Sequence, residues 1–293
     1  MKTRKKYLLV VNPIAGGVDK TEMVNSVQAF GETHKFDIIT YETTGDDDES
    51  KIRQLYNEHA PERVIIAGGD GTIKFVAEAL EKEDVVLGII PAGSANGLSV
   101  DLDYPTEIEE LLQVAFFNDF IEIDMICIND KKSLHLSDIG LNAELIKNYE
   151  NSNIRGKLGY AIQSFNTLRD QETPFIAKIK VNDIEIIAEA KMVVIANAKR
   201  YGTGVTINPF GKMDDGKFEI IILKNLDLVL FGKIITGNMP LNSEDIEILS
   251  AEKALITTNI PVHFQIDGEY YGEVQRLDIK MLKKQMKVAV PNL

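Results

Sequence analysis

A chain of 293 residues, 44% hydrophobic and 26% charged, is longer than one core comfortably supports, and its make-up excludes disorder, collagen-like repeats and a coiled coil. Its 45 acidic residues against 32 basic ones leave a net charge of −13, which repels nucleic-acid phosphates and opposes broad adhesion to anionic membranes. The lone cysteine, Cys127, can form no internal disulfide and reads as core filler in Ile126-Cys127-Ile128.

The chain opens with a basic stretch and a short apolar run, Tyr7 to Val11, which stops at Asn12-Pro13. A signal peptide needs a longer apolar region, so the run is expected to be a buried first strand of a cytoplasmic protein. The breaker cluster Asn12-Pro13-Ile14-Ala15-Gly16-Gly17 follows. Lys20 to Phe30 has helical spacing, Phe36 to Tyr41 reads as a strand, and Glu49 to His59 as a helix. Arg63 to Ala67 is a third strand closed by Gly68-Gly69-Asp70-Gly71, and Ile73 to Glu81 is a helix. Val85 to Ile90 is a fourth strand, closed by Pro91-Ala92-Gly93. Continuous apolar strands between helices predict a parallel sheet covered on both faces.

Beyond about Ile121 the pattern becomes mostly β. Strands are expected at 121–128, 134–137, 175–181, 184–190, 192–196, 217–223, 262–266, 277–282 and 286–290, with one helix at 158–168. Asn129-Asp130, Asn182-Asp183, Asp215-Gly216 and Asp267-Gly268 mark turns, so this half is expected to be antiparallel. No run of about 18 apolar residues occurs, so no membrane-spanning helix is expected. The histidines His34, His59, His135 and His263 show no ligand spacing.

The sharpest local signal is Val64-Ile65-Ile66-Ala67-Gly68-Gly69-Asp70-Gly71-Thr72, a strand that runs through three glycines into a helix. Such a turn lets backbone N–H groups and a helix N-terminus approach a phosphate. A carboxylate there makes sense if a divalent cation sits between it and the phosphates, although a tight turn capped by Asp would look the same. It is neither a P-loop nor a dinucleotide fingerprint. The loops Asn12 to Gly17 and Pro91 to Gly97 leave the same sheet edge, where open parallel sheets bind ligands.

Taken together, these motifs resemble the diacylglycerol kinase catalytic-domain family, which includes sphingosine, ceramide and bacterial lipid kinases. The matching runs, in order, are Val11-Asn12-Pro13 with Gly16, Gly68 to Thr72, and Pro91 to Leu98. Asn197-Ala198 with Tyr201-Gly202 and Gly204, Met213 to Phe218, and Asp267-Gly268-Glu269 complete the set. The resemblance implies an α/β protein of two domains. Residues 1–125 would be an open, mostly parallel ATP-binding α/β domain, and strands about 277–293 would pack back on it. Residues 126–276 would be a mostly antiparallel β domain for the lipid substrate.

It implies that Asn12, Pro13, Ile14, Ala15, Gly16, Thr43, Gly68, Gly69, Asp70, Gly71, Thr72, Ile73, Lys74 and Ser94 line the ATP site. Asp70 would bind the catalytic Mg2+, and Asp267 would be the base facing the lipid hydroxyl. Asp215, with the carbonyls of Lys212 and Lys217, would hold a second, structural Mg2+. By itself Asp267-Gly268, between two strand-like runs, is a hairpin turn, and Asp214-Asp215-Gly216 has the same plain reading. Lys74 stands where the family often has Asn. Gly97 stands where diacylglycerol-type members often have Asp, which points toward sphingoid-like or other acceptors.

The expected activity is transfer of the γ-phosphate of ATP to a lipid hydroxyl: diacylglycerol, a sphingoid base or a related lipid. The alternatives are a soluble-substrate kinase of the NAD kinase type, which shares Gly-Gly-Asp-Gly, and a non-catalytic lipid or nucleotide sensor. The expected partner is a lipid at the inner membrane face, met by transient peripheral contact; a homodimer is compatible with this, and no nucleic acid is expected. A local apolar patch is expected to make that contact, helped by Lys147, Arg155 and Lys157.

Overall fold

The computed structural model describes residues 4–140, 174–200, 206–225 and 244–291. Lys147, Arg155, Lys157, the helix expected at 158–168, and Tyr201, Gly202 and Gly204 lie outside the described residues. The chain divides into two compact units. Residues 4–123 and 284–291 make the first, and residues 124–140, 174–200, 206–225 and 244–283 the second.

The first unit alternates strand and helix: β1 (Lys6–Val11), α1 (Thr21–His34), β2 (Asp37–Glu42), α2 (Asp48–His59), β3 (Arg63–Gly68), α3 (Asp70–Ala79) and β4 (Val86–Pro91). Its strands lie in the order β2-β1-β3-β4, all parallel. Leu9, Val10, Ile65, Ile66, Ile89 and Ile90 are fully buried, as their unbroken apolar runs require. Each such side chain contributes roughly 1.5–3 kcal/mol by leaving water. Two further helices follow that the sequence reading did not place, α4 (Gly97–Asp101) and α5 (Ile108–Phe117). α5 puts Leu111, Leu112, Ala115 and Phe116 into the core beside Tyr7, Leu9 and Ile65. Near the chain's end, Lys287 and Val288 pair in parallel with Val86 and Leu87 of β4.

The second unit is β. It takes the later part of β5 (Phe120–Ile128), then β6 (Lys131–Ser133), β7 (Leu136–Gly140), β8 (Phe175–Val181), β9 (Ile184–Ala190) and β10 (Met192–Ala196). β11 (Phe218–Leu223), β12 (Ile246–Ala251), β13 (Lys253–Ile266) and β14 (Glu269–Ala289) as far as Lys283 follow. The order β12-β11-β10-β7-β13 is antiparallel throughout. The start of β13 pairs with β8 through Ala254 to Thr258, and its end with β7 through Phe264 to Ile266; register shifts lie between. One strand thus pairs with both β7 and β8, and Ile139, Phe175, Ile195, Phe218, Ile220, Phe264 and Ile279 pack into one core. β14 joins the two strands expected at 277–282 and 286–290 into one. Lys284, at φ 56, lies in the gap between those two expected strands. The expected class, an α/β part with a parallel sheet and an antiparallel β part, is the one observed.

Candidate active site

In the first unit β1 runs to a helix and on to β2 on one side, while β3 and β4 lie on the other side of β1. Strand order therefore reverses between β1 and β3. The loops that leave the carboxyl ends there flank the crevice where open sheets bind ligands. Backbone bonds hold these loops to the strand ends: Asn12 N–H to Ala67 O (3.0 Å), Thr43 N–H to Val11 O (2.8 Å) and Ala92 N–H to Gly68 O (2.9 Å).

The glycines are there because backbone meets backbone. A Cβ on Gly93 would stand 2.5 Å from the Gly69 Cα, and one on Gly16, at φ +63, would stand 2.8 Å from the Ala92 carbonyl oxygen. Asn12 spans two loops with its Nδ2 donating to Thr72 Oγ1 at 3.0 Å. Asn96 closes its own loop by accepting the Gly93 N–H at 2.7 Å. Gly93→Ala is therefore expected to spread the loops, lower the melting temperature and raise KM for ATP by about tenfold or more in the folded protein. Steady-state kinetics with a thermal melt checks this, and an unchanged KM would count against a nucleotide seat at these loops.

Asp70 is the first residue of α3. Its two carboxylate oxygens accept the N–H groups of Gly97 (2.7 Å) and Leu98 (2.9 Å) at the start of α4. Asp70 is thus both an acidic group at a helix N-terminus and the latch between the loops after β3 and β4. Beyond these bonds each carboxylate oxygen has a second lone pair.

The other residues expected at the nucleotide site divide by exposure. Pro13, Ile14, Gly16, Gly71 and Ser94 are exposed; Asn12, Ala15, Thr43, Gly69, Asp70 and Lys74 are half-buried; Gly68 and Thr72 are buried. Ile73 sends its side chain into the core, and its N–H goes to Gly69 O. The loop holding Thr43 is ordered by Asp48, which accepts from the Tyr41 hydroxyl (2.6 Å), Thr44 N–H (2.8 Å) and Gly45 N–H (2.8 Å). Burial and the neighbouring Asp48 push the Tyr41 hydroxyl up to about 12.

In the second unit Asp267 occupies the turn between β13 and β14, in the left-handed region at φ 49. Its Oδ1 accepts from the Ser133 hydroxyl (3.0 Å) and His135 N–H (2.8 Å), and its Oδ2 from Leu134 N–H (2.9 Å). Its own N–H donates to Leu136 O at 3.0 Å. A hairpin turn alone needs no such cradle; the segment between β6 and β7 fixes the direction of this carboxylate.

Lys212, Asp215 and Lys217 share one exposed turn, in which Asp215 Oδ1 accepts the Lys217 N–H at 3.0 Å. The turn is anchored by Asp124, which is 2% exposed. Asp124 Oδ2 accepts the Gly216 N–H and Asp124 N–H donates to Met213 O, both at 2.7 Å. Asn197 Nδ2 in turn donates to Asp124 O at 2.8 Å. The sequence reading did not single out Asp124. An acid set between Ile123 and Met125 in a largely apolar strand was the available signal, since such a residue must find donors when buried.

The diacylglycerol kinase catalytic domain profile matches residues 6–128, and the YegS C-terminal NAD kinase beta sandwich-like domain profile matches residues 138–290. A Staphylococcus saprophyticus diacylglycerol kinase is 25% identical over 300 residues, covering 99% of this chain and 96% of that one. An uncharacterized Synechocystis protein is 32% identical over 240 residues, covering 78% of this chain and 54% of the relative, so the chain spans about half of that protein's length. The crystal structure of a candidate diacylglycerol kinase from Bacillus anthracis matches with a TM-score of 0.78 at 25% identity, covering 99% of this chain and 98% of that one. With both halves of the chain accounted for in this order, the protein belongs to the diacylglycerol kinase catalytic-domain family and is a kinase of the lipid kinase type.

Proposed function

We propose that the protein transfers the γ-phosphate of ATP to the hydroxyl of a lipid, with Asp70 as the Mg2+-binding carboxylate and Asp267 as the base. The observation that carries the reading is the closure of glycine loops around the switch point, with the Asp70 carboxylate tying two of them together. The loops after β1, β3 and β4 offer close backbone approach and a helix N-terminus for the phosphates. Among the described residues no three His, Cys, Asp or Glu side chains form a metal cluster. A single carboxylate that completes its set with phosphate and water oxygens fits Mg2+, which ordinarily keeps several waters. The ion, when bound, neutralises charge on the transferring phosphoryl group. Asp267 orients the lipid hydroxyl and takes its proton late, which suffices for a loose transition state.

A second, structural cation at Asp215 with the carbonyls of Lys212 and Lys217 belongs to the same reading, because an all-oxygen donor set suits a hard cation. Asp215→Ala is expected to lower kcat by about tenfold while leaving ATP binding in place. Kinetics across a Mg2+ titration checks this, and full activity would remove the second ion from the reading.

The acceptor is reached by transient contact with the inner membrane face. The deciding assay offers γ-labelled ATP with diacylglycerol, sphingosine and ceramide in mixed micelles, and NAD as a soluble acceptor. Label in one lipid supports the proposal. Label in NAD alone would replace it with the soluble-substrate kinase, and ATP binding without transfer to any acceptor would favour a sensor.

A further inference from the structure

Next to Asp267 lies a buried polar pair that the family resemblance did not bring forward. Gln265, 1% exposed, stands on β13 two residues before the turn, and Asp138, 0% exposed, faces it across the pairing with β7. Gln265 Oε1 accepts the Gly268 N–H at 2.8 Å. Its Nε2 donates to Asp138 Oδ2. The neighbouring residue of β7 reaches the Asp267 carboxylate itself, by a side-chain path. Ser137, 0% exposed, donates to Ser133 Oγ at 2.9 Å, and Ser133 donates to Asp267 Oδ1 at 3.0 Å.

We propose that Gln265 and Asp138 are positioning residues that clamp the Asp267-Gly268 turn, so that β7 sets the aim of the carboxylate through its backbone and through a side-chain relay. A backbone N–H can only donate, so the Gln265 amide must present its oxygen to Gly268. Its NH2 group is then directed at the Asp138 carboxylate, an acceptor. Asp138 thereby favours one of two amide orientations, the one the turn requires. A buried amide with both ends matched is rigid; with one end unmatched it loses a hydrogen bond and leaves a polar group stranded. Asp267 (φ 49) and Gly268 (φ +88) are both left-handed, as a two-residue Asp-Gly hairpin turn requires, and the clamp on the Gly268 N–H ties that turn to β7. An apolar residue would fill position 265 as well for packing alone, and β13 places apolar Phe264 and Ile266 on either side of it.

The inference rests on the reading of Asp267 as the base. Its test is kinetic, with dioctanoylglycerol and sphingosine micelles as acceptors. Gln265→Met keeps the length of the side chain and removes both hydrogen bonds. It is expected to lower kcat by about 10–100-fold, with KM for ATP within about twofold of wild type. In the Gln265→Met protein the Gly268 amide is expected to exchange with deuterium faster than in wild type, a readout that a packing role would not move. Asp138→Asn, nearly isosteric, is the second variant should Gln265→Met fail to fold. It lets the Gln265 amide turn over, and a loss in kcat of about threefold to tenfold with the same faster exchange is expected. The Asp267→Asn protein separates the two claims. If Asp267→Asn keeps full turnover, the base reading fails and the clamp loses its purpose. If Asp267→Asn is inactive while folded Gln265→Met and Asp138→Asn both turn over as wild type, the clamp alone is overturned.

Discussion

Asp267→Asn is expected to lower kcat by about 10³-fold, within the range by which general-base groups act, while ATP still binds. The variant removes the group that takes the hydroxyl proton and leaves the loops of the first unit untouched. Its structural cost is modest. Three donors converge on the wild-type carboxylate, from Ser133, Leu134 and His135. If the asparagine oxygen keeps the bonds of Oδ1, its NH2 faces the Leu134 N–H, donor against donor, at a cost of about 1–3 kcal/mol. A thermal melt beside the kinetics separates that cost from the chemistry, and calorimetric ATP titration shows whether the nucleotide site is intact. Wild-type kcat in a folded Asp267→Asn protein would remove Asp267 from the mechanism.

Asp70→Ala is expected to lower kcat/KM for ATP by about 100-fold or more, because the residue has two tasks. It would supply the carboxylate to the metal, and it latches α3 to the start of α4 through the N–H groups of Gly97 and Leu98. Asp70→Asn tells the tasks apart. The amide retains one acceptor for the latch but loses the negative charge. Mg2+ dependence that stays normal in Asp70→Asn, with only the alanine variant impaired, would make Asp70 a latch and nothing more. Loss in both, with saturation moved to higher Mg2+, supports the metal role.

Both experiments concern residues found as short motifs, and the motifs were legible for a physical reason. A strand that must stop, turn through glycine and start a helix leaves a local record. Gly68-Gly69-Asp70-Gly71 and Asn12 to Gly17 are such records, and the first unit's strands and helices follow from apolar runs broken by those loops. The helix α5 was equally legible, since Ile108, Leu111, Leu112, Ala115 and Phe116 recur at helical spacing, yet it was not read. The strand β12 was harder, because Ile246–Ala251 is half-exposed and pairs only with β11 among the described strands.

By itself, the sequence determined the class of each half, the ends of the parallel strands and the residues at which the chain must turn, because these depend on neighbours within a few positions. Only the tertiary structure decided what the turns hold. It gave Asp70 two amide partners 27 and 28 positions away. It sent the Ile73 side chain into the core while leaving the glycine loops against one another. It also brought Ser133, Leu134 and His135 onto Asp267 across more than 130 positions, and set Asp124 under the Asp215-Gly216 turn across 92. Hydrogen bonds between distant segments follow from strand order and register, and a buried Asp or Gln carries no mark in the sequence of the donor that it will meet.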